Sequence, residues 1–433
     1  MNAQNRQILQ IALPSIVSNI TVPLLGLVDV AIVGHMGSAA YIGAVAVGSM
    51  IFNLTYWLFA FLRMGSSGLT AQALGRRDLT DVVGILARSL LLAIGIAILL
   101  IILQVPLRWL MFWLIAPTAD VAPLATTYFY IVVWGAPAVL GLYGLSGWFI
   151  GMQNTRIPMF ISIMQNVVNI LVSVLLVYGA GMKIEGVALG TVIAQYVGFL
   201  AALALLVRYY GRLFGYFRRD RLLQRFRSFF NINRDIFLRT LCLVAVNLFF
   251  TSAGAKNGAI ILSVNAVMMQ LYLFYSYFMD GFAYAGEALG GRYYGAGNKD
   301  GFVQMLRHLF SWASGVTLLY TIVYVCFGHG IVALLTDEPQ VLSVSHEYLW
   351  WIWLVPVAST LAFIWDGIFI GITATRGMLV SSFVSTIVFF AVYALSQNQL
   401  GNHGLWLAMI VYLLMRGVVQ TIWLRSRINV KLL

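Results

Sequence analysis

The chain has 433 residues, of which 61% are hydrophobic and only 9% are charged, and its mean hydropathy is +0.91. Soluble globular domains usually carry about 25% charged residues. Because a water-soluble fold cannot bury this much apolar surface, the composition excludes a soluble enzyme, a disordered chain and a small secreted disulfide-bonded domain. The formal net charge of +12 indicates membrane orientation rather than nucleic-acid binding.

Twelve stretches are long and apolar enough to cross a bilayer, which requires about 20 residues each. We therefore predict an all-α integral membrane protein with twelve transmembrane helices in two pseudo-symmetric six-helix bundles. In chain order the predicted spans lie near residues 8–33, 40–72, 88–112, 124–150, 159–180, 186–208, 236–256, 259–289, 306–335, 345–371, 379–397 and 403–424.

Basic residues are concentrated in one of the two sets of connections. The 208–239 segment alone contains Arg208, Arg212, Arg218, Arg219, Arg221, Arg225, Arg227, Arg234 and Arg239. The opposite set contains only Arg108, Lys183 and Lys256. By the positive-inside rule, we expect both termini and this basic segment to be cytoplasmic.

The two halves of the chain contain matching motifs. LTAQALG at 69–75 matches YAGEALG at 284–290, and GWFIGMQNTR at 147–156 matches GIFIGITATR at 367–376, at an offset of about 220 residues. This predicts an amino-terminal lobe at 1–210, a cytoplasmic linker at 211–234 and a carboxy-terminal lobe at 235–433. Paired six-helix repeats are a recurring architecture of secondary transporters.

The first span contains an acidic residue, Asp29, with no cationic residue within four positions. Desolvation disfavours the charged form of a carboxyl group, which suits a group that takes up and releases a proton. Pro14 and Pro23 leave carbonyls without donors in the same helix, so we predict that it can bend there. The alternative is a structural carboxyl that bonds to a neighbouring helix.

Other polar residues also lie within predicted spans. Asn169 and Ser173 share one face of the fifth span, and Thr191 lies early in the sixth; they are candidates for the coupling site or for interhelical hydrogen bonds. Asp280, Glu287 and Asp366 are secondary candidates in the second half, with Glu287 close to the cytoplasmic end and able to face water. Arg63 is the one basic residue that the pattern places inside a span.

The sequence lacks motifs for nucleotide hydrolysis and for metal binding. It has no G-x-x-x-x-G-K-[ST] loop and no H-E-x-x-H motif, and its five histidines are scattered. We therefore expect no ATPase, no metal site and no cofactor. An ion gradient or a downhill substrate would supply the energy.

Several motifs together resemble the multidrug and toxic compound extrusion (MATE) family, in its DinF-like branch, over nearly the whole chain. They are ALP at 12–14, NITVPLLGLVDVAIVGH at 19–35, GLTAQALG at 68–75, DGFAYAGE at 280–287, DGIFIG at 366–371 and LGNHGLWLA at 400–408. The resemblance implies a V-shaped fold of two six-helix lobes. It also implies export of organic cations and other drugs in exchange for H⁺ or Na⁺.

The resemblance also assigns roles to individual residues. Asp29 matches the cation-coupling carboxylate of the family's first span, and Asn169 and Thr191 match polar residues around it. Ser173 stands where a second aspartate is expected, which weakens a Na⁺ site because hard cations favour charged oxygen ligands. Asp366 resembles an acidic residue that other branches use in the carboxy-terminal lobe.

We therefore predict a monomeric inner-membrane exporter that exchanges H⁺ for organic, mainly cationic drugs through protonation of Asp29. A Na⁺-coupled antiporter is the close alternative. A lipid-linked oligosaccharide flippase is a further one, although flippases usually carry more cationic residues in the cavity, whereas acids here outnumber Arg63. An integral membrane enzyme would require a catalytic constellation, which the sequence lacks.

Overall fold

The computed structural model describes residues 3–34, 38–219, 222 and 225–427, without the side chains of residues 22–30, 39 and 427. Within these ranges the regular elements are helices, with no β-strand. The α-helices are α1 Ala3–Gly34, α2 Ala39–Leu58, α3 Phe61–Gly75, α4 Leu79–Ile102, α5 Gln104–Ile115, α6 Ala122–Val132, α7 Ala136–Gly151, α8 Arg156–Val174, α9 Ile184–Tyr210, α10 Phe226–Lys256, α11 Ala259–Gly295, α12 Lys299–Leu335, α13 Pro339–Gly371, α14 Thr375–Leu400 and α15 Asn402–Arg427.

Eleven segments of the described residues are long and apolar enough to cross a membrane. They correspond one to one to the second through twelfth predicted spans, and α1 corresponds to the first. The predicted all-α membrane fold is therefore confirmed. The ends differ in places: α2 and α3 together form the second span, and the third begins at Leu79 rather than near residue 88.

The exterior of the helices explains the unusual composition. On α4, the small residues Ala93 and Ala97 are buried, while Leu91, Ile98 and Ile102 are exposed. Large apolar side chains on the outside of a protein are favourable when the solvent is hydrocarbon. The apolar fraction of the sequence therefore reflects lipid-facing surface as well as core.

The chain divides into two compact units. The amino unit comprises Val17–Asn233, and the carboxy unit comprises Met1–Ile16 with Arg234–Leu433. Helix α1 is continuous through both of its prolines and contributes to both units. Its first turns are held in the carboxy unit, where Gln4 Nε2 donates to Tyr293 Oη at 3.1 Å and Trp312 Nε1 donates to Asn5 Oδ1 at 3.2 Å.

The same close helix crossing is repeated in the two units. In the amino unit, Gly147 and Gly151 of α7 lie against the backbone of α3 at Arg63 and Ser67. In the carboxy unit, two glycines of α13 lie in the same way against the backbone of α11. These are Gly367 against Ala283 and Gly371 against Glu287. A Cβ at any of the four glycines would clash with a carbonyl oxygen, so only glycine allows the helices to approach this closely.

The turns that follow these helices are also repeated. Arg77 (φ 58°) and Gly297 (φ 66°) occupy the left-handed region after α3 and α11. Gln153 (φ 63°) and Thr373 (φ 55°) do so after α7 and α13. The capping hydrogen bonds match as well, so the sequence matches near an offset of 220 residues correspond to repeated backbone structure.

Candidate functional site

Three of the predicted site residues lie together between α8 and α9. Asn169 Nδ2 donates to Thr191 Oγ1 at 3.1 Å, and Ser173 Oγ donates to Asn169 Oδ1 at 3.3 Å. Thr191 Oγ1 in turn donates to the carbonyl of Val187 at 3.1 Å. Asn169 and Ser173 are buried. The cluster consists of amide and hydroxyl groups and carries no formal charge.

Polar side chains on and beyond α8 also contact α1. Asn166 Nδ2 donates to the carbonyl of Thr21 at 2.9 Å, and Ser162 Oγ lies 3.0 Å from Thr21 Oγ1. Tyr178, in the π-helical turn Leu175–Gly179, donates through Oη to the carbonyl of Ile32 at 3.2 Å. The contacts therefore lie on both sides of position 29.

The principal coupling candidate itself can be placed only by its backbone. Asp29 and Pro23 lie within the helical range of α1, and their side chains are outside the described residues. Pro14 lies in the same helix and is described, and α1 remains helical through it.

An ion-pair cluster around the buried Asp81 lies in the amino unit and was not predicted from the sequence. Asp81 accepts from Arg88 at 2.7 Å, from Arg225 at 2.5 Å and from Arg76 at 3.3 Å. Because α4 begins at Leu79, Arg88 is inside the third span and buried. The seven-residue spacing of Asp81 and Arg88 places both on one helix face, and this signal could have identified the pair.

Asp366 of α13 is surrounded by donors in the carboxy unit. Its Oδ2 accepts from Arg239 of α10 and, at 2.5 Å, from Arg416 of α15. Its Oδ1 accepts from Gln420 Nε2 at 2.6 Å. All four side chains are buried.

The prediction that Arg63 is the one basic residue inside a span is therefore wrong. Arg88, Arg239 and Arg416 all lie in spanning helices. Arg239 had been counted among the basic residues of the 208–239 segment, which was expected to be cytoplasmic, whereas α10 begins at Phe226 and buries this residue. A single arginine lowers the mean hydropathy of a long span only slightly. Mean hydropathy therefore does not show that a span contains a buried arginine.

The other two acidic candidates lie on α11. Glu287 is fully buried, so it does not face water as its position near the helix end had allowed. Asp280 is partly exposed and lies within electrostatic reach of Tyr272 and Tyr277. Among the described residues, no group of three or more His, Cys, Asp or Glu side chains could hold a metal ion.

Comparison with known proteins assigns most of the chain to the family that the motifs resemble. The MatE family model matches residues 14–175 and 236–395. DNA damage-inducible protein F of Escherichia coli strain K12 is 38% identical over 429 residues, which cover 98% of this chain and 93% of the relative.

More distant relatives agree. The probable multidrug resistance protein NorM of Thermotoga maritima is 23% identical, with 97% of this chain and 92% of that protein covered. The solved outward-facing structure of a multidrug resistance MATE family transporter of the MOP superfamily superposes with a TM-score of 0.88 at 17% identity. The superposition covers 99% of this chain and 96% of the solved chain, which shows that the two proteins share a fold. The chain therefore belongs to the MATE family, whose members are membrane transporters and not enzymes.

Proposed function

We propose that this protein exports organic, mainly cationic drugs across the bacterial inner membrane in exchange for H⁺, and that protonation of Asp29 couples proton entry to drug release. The relatives described as multidrug resistance proteins support drug export. The observation that carries the coupling proposal is the pair of contacts that Asn166 and Tyr178 make with α1, at Thr21 and Ile32.

Helical spacing relates these contacts to Asp29. Asp29 follows Thr21 by eight residues and precedes Ile32 by three, and a period of 3.6 residues places the three positions on one face of α1. The polar groups of this region are neutral amides and hydroxyls. An ionised carboxylate without a buried cation is costly, so uptake of a proton would stabilise Asp29 in a closed, dry site.

The neutral cluster favours H⁺ over Na⁺ as the coupling ion. Hard cations bind best to several oxygen ligands that include carboxylates. Ser173 supplies a hydroxyl where a second carboxylate would strengthen such a site. In our proposal the neutralised Asp29 allows α1 to bend near Pro14 and Pro23, which reshapes the binding region and displaces the drug.

We also propose the topology in which this cycle operates. Two six-helix lobes, 1–210 and 235–433, are joined by the basic linker 211–234, with both termini cytoplasmic and the protein monomeric. The repeated glycine crossings and turns support two lobes of common origin. The structure adds that the first turns of α1 group with the carboxy unit.

The test is drug-driven proton movement in liposomes that contain a trapped pH dye and no Na⁺. When a cationic dye substrate is added outside, the wild type should raise the internal pH as protons leave in exchange. Asp29→Asn should lose this signal, because the amide cannot carry a proton. Asp337→Asn, at an exposed acidic residue, is the matched control and should exchange like the wild type.

Two results would contradict the proposal. Exchange by Asp29→Asn at the wild-type rate would remove Asp29 from coupling. Transport that requires Na⁺ at fixed pH, without proton movement, would establish the Na⁺-coupled alternative.

One observation favours a second function, that of a lipid-linked oligosaccharide flippase. Arg239 and Arg416 are buried in the carboxy unit, so cationic residues inside the spans are more numerous than the sequence indicated. A drug-susceptibility panel in an efflux-deficient host separates the functions. Expression should raise resistance to cationic dyes if the protein is an exporter, whereas unchanged susceptibility would favour the flippase.

A further inference from the structure

The side chains that bond to Asp366 carry more positive charge than Asp366 neutralises. Arg239 and Arg416 contribute two positive charges, Asp366 contributes one negative charge, and Gln420 is neutral. All four side chains are buried. An uncompensated charge in a low-dielectric interior is costly unless a partner neutralises it.

The same cluster contains donors that no described residue uses. Arg239 Nε, Arg416 Nε and the Tyr412 hydroxyl are buried and have no hydrogen-bond partner in the described part of the chain. The guanidinium carbon of Arg416 lies 5.6 Å from the centroid of the Tyr412 ring, and both arginines act electrostatically on the Tyr412 hydroxyl. Unused N–H and O–H donors with excess positive charge are the groups that bind anions.

Two further acidic residues lie near this cluster, Asp235 and Asp280. Asp235 precedes Arg239 by four residues on α10, and it pairs with Arg234 at 3.0 Å. Asp280 lies on α11. It acts, together with both arginines, on the Tyr272 hydroxyl. Its side chain is partly exposed, whereas that of Asp366 is buried and pairs with both arginines. Asp280 therefore compensates the arginines less than Asp366, which bonds to both of them.

We propose that Arg239, Arg416 and Tyr412 form a binding site for one small anionic group, a carboxylate, sulfonate or halide, within the carboxy unit. One monoanion neutralises the excess charge and accepts the unused donors. Asp366 accepts from both guanidinium groups, and Gln420 donates to Asp366. The site adds a second charge class to a protein whose proposed drugs are mainly cationic, and it does not depend on coupling through Asp29.

The test uses two naphthalene probes of opposite charge. Equilibrium dialysis of the purified full-length protein in sodium gluconate measures binding of radiolabelled 1-naphthoate and of 1-naphthylmethylammonium. We expect Arg416→Gln to weaken naphthoate binding about tenfold, the size of one lost charge-assisted hydrogen bond. Arg416→Lys should retain most of the affinity. Binding of the cationic probe should not weaken in either variant.

A second variant, Asp366→Asn, is expected to strengthen naphthoate binding instead of weakening it. Asp366→Asn raises the excess charge and should tighten naphthoate binding by about tenfold, and naphthoate should raise the melting temperature of this variant more than that of the wild type. Arg88→Gln removes a buried arginine of the amino unit and is the matched control, with naphthoate affinity unchanged. If Arg416→Gln does not fold, the increase in Asp366→Asn still tests the site.

The outcomes are distinct. Unchanged naphthoate binding in both Arg416→Gln and Asp366→Asn, or equal weakening of the two probes, would overturn the proposal. Displacement of naphthoate by chloride would identify a site that accepts free inorganic anions. Naphthoate binding that resists chloride would identify a site for the acidic group of an amphiphile. Neither result depends on drug-driven proton exchange, so the anion site and the proposed transport function fail separately.

Discussion

The two units share a close helix crossing but have different polar groups at their candidate sites. In each unit, paired glycines of one helix lie directly against the backbone of another, at Gly147 and Gly151 and again at Gly367 and Gly371. The amino unit has a buried ion pair of its own, Asp81 with Arg88 on α4, but its candidate site between α8 and α9 consists of neutral amides and hydroxyls. The candidate site of the carboxy unit instead places two arginines and an aspartate among α10, α13 and α15. A crossing with no room for a Cβ admits only glycine, while the polar side chains at other positions are free to differ.

This difference suggests separate roles for the two units. A carboxyl group beside neutral partners can change charge without breaking an ion pair. Protonating Asp366 would remove the negative charge that pairs with both Arg239 and Arg416. We therefore expect proton coupling to reside in the amino unit, and Asp366 to be a poor proton carrier.

The contrast between the charged and the neutral site predicts different losses of stability, and the largest loss is expected at Asp366. Asp366→Ala leaves two buried guanidinium groups without their carboxylate and should lower the free energy of unfolding by about 3–5 kcal/mol. Asn169→Ala removes a neutral partner and should cost about 1–3 kcal/mol. Unfolding in mixed micelles with increasing SDS measures both, with Asp300→Ala, at an exposed position, as the control. A smaller loss for Asp366→Ala than for Asn169→Ala would contradict the contrast.

A smaller loss of stability is expected from substitutions in the helix crossing that the two units share. Gly147→Ala and Gly367→Ala each place a Cβ against a backbone carbonyl, and overpacking of this kind costs about 1–3 kcal/mol. The two losses should be similar. Gly95→Ala and Gly315→Ala are the matched controls, because a Cβ there meets nothing within 4 Å. They should not lower stability, and a large loss in only one crossing would show that the repeats are not equivalent.

The smallest effect concerns the repeated turn after α3 and α11. Arg77 holds a left-handed conformation that is strained for most residues, while Gly297 holds it without a Cβ. Arg77→Gly should raise the free energy of unfolding by up to about 1 kcal/mol, and Gly297→Ala should lower it by about 1 kcal/mol. The same SDS titration measures both. The two substitutions are opposite, so equivalent turns should change the free energy of unfolding with opposite signs. A change of the same sign in both variants would contradict the equivalence of the turns.

Much of the fold was predictable because lipid imposes a local rule. Each span must be apolar over about 20 consecutive residues, so every spanning helix could be found from the sequence. Likewise, the match between 147–156 and 367–376 anticipated the repeated crossing. Helix ends were less predictable: α4 continues into polar sequence as far as Leu79 because Asp78 caps it.

The candidate site was predictable only in part. Asn169 and Ser173 are four residues apart on one helix, so the sequence placed them on a common face, and Thr191 lies on the next helix. By contrast, Arg239 is 127 residues and Arg416 is 50 residues from Asp366 along the chain. The sequence by itself determined the spans, the internal repeat and the family motifs, because these depend on neighbouring residues and on a constant offset. Only the tertiary structure decided which buried charges meet, since ion pairing depends on which helices lie side by side.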